Sequence, residues 1–205
     1  MKNQKNVDNA IPFQVILKDE FIDNRHGWEL TNSNTEIAAL TDQGYSLENK
    51  DNDSWHHFSL FPKVDSLKNL LIQCRIEIDS KSGPGQCGII WGFDSKLRRL
   101  NRFCFSTKGR GCTVMHFEKN HRPVFHRFYD PFFNIDTSKP ILLEIRESNN
   151  YWFFRINKKL VYIAHQIHFA EKGNGIGFYL DPGVSIRVKK LQVSQKGLSK
   201  AFSLN

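Results

Sequence analysis

Apolar and polar residues alternate along most of this chain in short runs, and the runs end at Gly, Pro, Asn, Asp and Ser. The clearest run spans residues 70–79. Leu70, Ile72, Cys74, Ile76 and Ile78 fall on one side of it, and Gln73, Arg75, Glu77 and Asp79 on the other. Successive side chains of a strand point to opposite faces, so a period of two reads as a strand with one face buried. Residues 151–157 repeat the pattern: Trp152, Phe154 and Ile156 oppose Tyr151, Phe153, Arg155 and Asn157. The same reading predicts strands over 13–17, 36–40, 45–50, 55–61, 69–79, 86–93, 101–107, 112–118, 123–129, 140–147, 151–157, 159–164, 175–180 and 184–194. Trp91 is expected in the core, with Cys87, Ile89 and Phe93 on its face. Ser148-Asn149-Asn150 and Asn157-Lys158-Lys159 have hairpin chemistry, because Asn tolerates positive φ, and Gly173-Asn174-Gly175 does similar work before the run at Ile176.

No segment holds a helical period for long. Residues 62–68 and 165–172 have room for one turn each. Strands do not alternate with helices, which excludes the parallel-sheet nucleotide-binding folds. Many short strands divided by turn signals predict an all-β chain, an antiparallel two-sheet sandwich.

Composition agrees. A length of 205 residues suits one sandwich domain, expected over 11–195, with a loose polar N-terminus at 1–10 and a tail at 196–205. Phe occurs 17 times against 2 Met, a bias toward sheet. The net charge is +8 and the pI about 9.4, so the surface attracts anions such as an acidic glycan or an acidic protein. The cations are scattered apart from short clusters at Lys96–Arg99 and Arg187–Lys190, and no nucleic-acid reader motif accompanies them, which argues against a dedicated nucleic-acid binder. The opening MKNQKNVDNAIPF lacks the apolar run of a secretory signal, and no stretch is apolar enough to span a bilayer as a helix. The expectation is a soluble, cytoplasmic protein without a membrane segment.

Cys74, Cys87, Cys104 and Cys112 show none of the close pairs that zinc sites use, and they sit in strand-patterned runs, so free buried thiols are expected. Cys104 and Cys112 flank the turn Lys108-Gly109-Arg110-Gly111, which leaves a bridge between them geometrically open; the reduced form fits the missing signal better. The eight histidines include His165-x-x-His168, the adjacent His56-His57, and His116, His121 and His126 across a turn. None gives two or three ligands on one face, so no metal and no cofactor is expected. No nucleophile elbow is present for a Ser/His/Asp triad. The stretch His116–Phe133 is dense in aromatic and basic residues, a chemistry suited to sugar rings, peptides or an acidic partner.

Glu20-Phe21-Ile22-Asp23-Asn24-Arg25-His26-Gly27-Trp28 resembles the opening "D-F-x-D-N-x-x-G-W" of bacterial concanavalin A-like sandwich domains. Further pieces follow in order. Asp42-Gln43-Gly44-Tyr45-Ser46-Leu47 is similar to their "x-x-G-x-Y/L-x-L", Gly88-Ile89-Ile90-Trp91-Gly92 to "G-x-x-W/F-G", and Asn101-Arg102-Phe103-Cys104-Phe105 to "N-x-Y-x-F". Leu143–Arg146 with Tyr151–Asn157 resembles "L-x-V-x-R … F-x-I-N-G", and Gly175–Phe178 with Ile186–Val193 resembles the closing segments. Two positions depart from the pattern: Lys158 stands where Gly is usual, and Lys190 where Asp often stands. The resemblance implies a jelly-roll, concanavalin A-like sandwich of the lectin and glucanase kind, akin to laminin-G-like and 3-keto-disaccharide-hydrolase-like domains. These folds host lectins, glycan-binding modules, glucanases and accessory domains, so fold alone does not transfer an activity.

Glucanases on this fold carry E-x-D-x-E on one strand, with the carboxylates on one sheet face. Glu77 and Asp79 fit the first two places, but Lys81 stands where the acid/base belongs. Retaining hydrolysis needs two carboxyl groups in those roles, and an ammonium does not replace a carboxylic acid. The expected function is therefore a noncatalytic recognition module that binds a glycan or a protein partner through one sheet face or loop rim. Arg75, Glu77, Arg102, His116 and Tyr129 are its candidate ligand-binding residues, and no residue is assigned a catalytic role. The alternatives are a glycoside hydrolase-like enzyme with a displaced acid/base, and a structural subunit whose open face packs on another chain.

Overall fold

A computed structural model of the chain describes residues 12–54, 56–60, 62, 64–65, 68–94, 99–118, 124–128, 134–166 and 175–196. Among these are fifteen strands: β1 Gln14–Asp19, β2 Thr31–Asn32, β3 Glu36–Thr41, β4 Gly44–Asn49, β5 His56–Leu60, β6 Asn69–Ile78, β7 Gln86–Asp94, β8 Arg99–Ser106, β9 Cys112–Glu118, β10 Val124–Phe128, β11 Ile141–Ser148, β12 Tyr151–Ile156, β13 Lys159–His165, β14 Gly175–Leu180 and β15 Ser185–Lys196. Each predicted strand is present, and β2 is an addition too short to show a period. No α-helix occurs among the described residues. The two segments offered as single helical turns each lie partly outside them, as do Gly173 and Asn174.

The strands form two antiparallel sheets. One has nine strands in the order β13-β12-β11-β6-β15-β4-β3-β2, with β1 also paired to β15. The other has six in the order β10-β9-β8-β7-β14-β5. Long β15 holds the larger sheet together. Its one side pairs with β6 throughout, and its other side pairs first with β4 and then with β1. The result is a concanavalin A-like jelly-roll sandwich.

Alternation explains the core. Strand β6 sends Leu70, Ile72, Cys74 and Ile76 inward, and β12 sends Trp152, Phe154 and Ile156, all at most 2% exposed. From the six-stranded sheet they meet Cys87, Ile89, Trp91, Phe103, Phe105, Val114 and Phe178. Trp91 packs on Trp152 and Phe154 with ring centroids 5.8 Å apart in both cases, so aromatic contacts join the sheets across the middle. A second aromatic group closes one end. Phe21, Trp28, Tyr45 and Phe178 lie 5.4–6.3 Å from one another. The buried Asp19 carboxylate organises it, accepting from the Phe21 backbone N–H at 2.7 Å and from Trp28 Nε1 at 2.8 Å. These bonds hold Phe21 at φ +58°, a conformation disfavoured for a non-glycine residue. The segment resembling "D-F-x-D-N-x-x-G-W" is thus a structural clasp.

Phe93 differs from its predicted place. At Gly92, φ is +65°, and the pairing of β7 with β8 shifts register between Trp91 and Asp94. The irregularity breaks the alternation, and Phe93 leaves Trp91's side and packs on the opposite face. Cys104 and Cys112 are also on opposite faces of their sheet. Cys104 pairs with Thr113, while Cys112 pairs with the core residue Phe105. That orientation removes the bridge, and all four cysteines are free and buried.

Candidate functional site

Three of the five sequence-predicted site residues divide between two opposed surfaces, and a fourth faces the core side of its sheet. Arg75 and Glu77 project from β6 on the outer face of the nine-stranded sheet, whereas Arg102 projects from β8 on the outer face of the six-stranded sheet. His116 lies on β9 with its Nδ1 2.6 Å from Asn101 Oδ1, and Asn101 is 1% exposed. Asn101 pairs directly with Trp91, so His116 faces the core side of its sheet and does not join Arg102. Tyr129 lies outside the described residues, as do residues 119–123 and 130–133 of the aromatic-basic stretch.

The E-x-D pattern lands on the nine-stranded sheet, and its carboxylates have cationic neighbours. Glu77 Oε2 is 3.6 Å from Arg187 and 3.5 Å from Lys189, and Asp79 Oδ2 is 3.4 Å from Arg187. Lys81, in the third place, donates from Nζ to Glu48 Oε2 at 2.6 Å. That hydrogen bond raises the lysine's pKa above its ordinary value, so Lys81 is a cation at neutral pH. Two neutralised carboxylates and an ammonium do not make the acid and nucleophile pair of a retaining glycosidase.

The outer face of the six-stranded sheet is different. Ile90, Leu100, Cys104 and Tyr179 form a second buried cluster there, with half-buried Phe93 and Phe117 against it. The Arg102 guanidinium lies over the Tyr179 ring, 4.3 Å from its centroid. Arg102 Nε is buried and has no hydrogen-bond partner. Tyr179 donates from its hydroxyl to Asp181 Oδ1 at 2.6 Å. Burial first, then that hydrogen bond, push the phenol's pKa up, so it remains a donor. Asp181 Oδ2 accepts the Gln86 backbone N–H at 2.8 Å, and the Gln86 side-chain amide donates to Thr113 at 2.9 Å. A guanidinium, the buried tyrosine ring beneath it and a braced amide therefore share one face.

The sequence reading missed Tyr179, Asp181, Gln86 and Thr113. Tyr179 sits in the run Gly175–Leu180, buried at every position, so no alternation marks which residues face outward. Asp181 follows the strand's end, and its role rests on a pairing with Gln86 across 95 residues of sequence.

No family model and no curated protein sequence matches the chain. Solved structures do. The carbohydrate-binding module CBM66 from Bacillus subtilis superposes with TM-score 0.58 and 16% identity, covering 82% of this chain and 96% of its own. The catalytic domain of an endo-1,3-β-glucanase (laminarinase) from Thermotoga petrophila gives 0.64 and 11%, covering 91% and 99%. A Bacillus subtilis protein with a galectin-like fold gives 0.62 and 13%, also covering 91% and 99%. These similarities define the class: a concanavalin A-like β-sandwich, the fold shared by lectin-like modules and endo-glucanases.

Proposed function

We propose that the chain is a noncatalytic glycan-recognition module whose binding surface is the outer face of the six-stranded sheet, centred on Arg102 and Tyr179. One observation carries this reading: a guanidinium with an unpartnered buried Nε lies on a tyrosine ring, and the Asp181 carboxylate at that ring is held by the Tyr179 hydroxyl and the Gln86 backbone N–H. Sugar hydroxyls bond to fixed donors and acceptors, and here the buried Tyr179 ring fixes the Arg102 guanidinium from beneath. Arg102 and the Gln86 amide, both half-buried, provide such groups, while Thr113 is 0% exposed and serves only to hold the Gln86 amide. Glycoside hydrolysis needs two carboxyl groups flanking the bond, and the chain's strand-borne E-x-D pair lies on the other sheet, neutralised by Arg187 and Lys189. The similarity in fold to a carbohydrate-binding module supports saccharide binding, and the similarity to a laminarinase, at TM-score 0.64 against 0.58, makes absence of hydrolysis the part to test. A glycan array followed by a reducing-end assay on each bound saccharide does so. Binding without new reducing ends is the expected result. Turnover of any bound saccharide rejects the noncatalytic reading.

A further inference from the structure

A second feature lies on the opposite surface. Arg75 on β6 and Lys190 on β15 are direct cross-strand partners, and the next outward pair along the same strands is Gln73 with Gln192. These four side chains and Leu142 line a depression of about 140 Å³. Like charges placed directly opposite in a sheet repel and destabilise it. Among the described residues no carboxylate pairs with Arg75. Lys190 reaches Glu20 at 3.9 Å, and that carboxylate is held closer by Lys18 at 3.0 Å.

A β-bulge produces the arrangement. The pairing of β15 with β6 shifts register between Val188 and Lys190. In a regular strand Lys189 and Lys190 would take opposite faces, and one would be driven into the core. With Lys189 as the extra residue, both reach the outer face. Lys189 pairs with Glu77 at 3.5 Å, and Lys190 is left to line the depression beside Arg75.

We infer that this depression binds the sulfate group of a sulfated polysaccharide, at a site separate from the Arg102 face. Two cations supply several N–H donors, joined by the second N–H of the Gln73 and Gln192 amides, whose first donates to Glu144 at 2.9 Å and to Ser194 at 3.4 Å, respectively; together they match the acceptor oxygens and single charge of a sulfate ester. Arg75 is exposed at the depression, as suits a group carried on a chain running over the sheet, and the protein's net charge of +8 favours a polyanion. No aromatic side chain lines it, so it lacks the platform on which single-stranded nucleic acids stack and the aromatic anchor of a protein hot spot.

The test titrates the intact protein with dextran sulfate, unmodified dextran, polyglutamate and a single-stranded DNA oligonucleotide at fixed ionic strength. Arg75→Gln and Lys190→Gln are compared with Lys108→Gln, which removes an exposed cation of the β8–β9 turn. The expected result is binding of dextran sulfate in preference to the other three, weakened about tenfold by Arg75→Gln and by Lys190→Gln, the order of one charge-assisted hydrogen bond. Lys108→Gln should bind as the wild type does. Equal losses in all three variants would show diffuse attraction and overturn the site. Unchanged binding in Arg75→Gln and Lys190→Gln would overturn it too, and tighter binding of polyglutamate or DNA would reject the sulfated polysaccharide. Circular dichroism on each variant confirms that a loss does not come from unfolding.

Discussion

Glu77 on β6 and Arg187 on β15 stand directly opposite one another and pair at 3.6 Å, and the same guanidinium reaches Asp79 at 3.4 Å. One arginine thus bridges the two carboxylates that the sequence offers as a catalytic motif. Glu77→Gln removes two ion pairs, to Arg187 and to Lys189, whose side chains are 27–32% exposed. Such pairs are worth about 0–1 kcal/mol, so the midpoint of urea unfolding should hardly move. Saccharide binding at the Arg102 face should stay unchanged as well, because Glu77 is on the other sheet. A large loss of either would give Glu77 a role that this structure does not.

Asp19 is the opposite case. It is 5% exposed, and both its oxygens accept bonds inside the clasp. Asp19→Asn replaces one acceptor with a donor facing a buried N–H, so it should cost about 2–3 kcal/mol, the penalty for an orphaned buried group. Urea titration should give a lower midpoint with an unchanged slope. A cost below about 0.5 kcal/mol, the ordinary range of surface substitutions, would contradict the clasp.

The hairpin between β12 and β13 turns on Asn157 and Lys158, at φ +48° and +69°. Both central residues of this two-residue turn are left-handed, the conformation that favours Asn-Gly. Lysine accepts it at a cost, so Lys158→Gly should stabilise the protein by up to about 1 kcal/mol, read as a rise in thermal midpoint. A fall would mean that the lysine side chain contributes more than the backbone loses. Asn149 and Asn150, at +51° and +63°, serve the same geometry in the preceding hairpin without that cost.

Burial pushes the pKa of the Cys104 and Cys112 thiols from 9.0 up to about 12, and those of Cys74 and Cys87 upward as well. A group whose pKa is higher folded than unfolded contributes stability that is complete below the unfolded value and is lost as pH rises through the folded one. Unfolding free energy should therefore decline between about pH 9 and pH 12, by up to ~1.4 kcal/mol per pH unit for each thiol. At pH 8 the native protein should react slowly with a thiol reagent, and the denatured chain should show all four thiols at once. Two thiols on denaturation would contradict the free cysteines.

Much of this fold was legible because period two survives wherever one face meets solvent. Leu70–Ile78 and Tyr151–Ile156 show it, and they fix the inward faces of β6 and β12. The candidate site was harder. Strands β7 and β14 are apolar on both faces, because Ile90 and Tyr179 build a second cluster outside the main core, and a run buried on both sides carries no sign of which side is which. Arg102 was chosen from its place in the sequence and lies on that face, but its partner Tyr179 and the brace through Asp181 come from long-range pairing. The bulge at Lys189 and the irregularity at Gly92 each move one side chain across the sheet, and no composition rule marks either. The grouping of Arg75, Glu77, Arg102, His116 and Tyr129 as one surface failed for a topological reason: β6 and β8 belong to different sheets.

In the proposed function the Arg102–Tyr179 face holds a saccharide without cutting it. The most direct measurement is calorimetric titration of wild type and Arg102→Gln with a saccharide found by array, with the ligand recovered and its reducing ends counted. Loss of a charge-assisted bond and of the stack on Tyr179 should weaken binding by roughly 10- to 100-fold, with the saccharide returned intact. Equal affinity in the two proteins, or cleaved saccharide from the wild type, would contradict it.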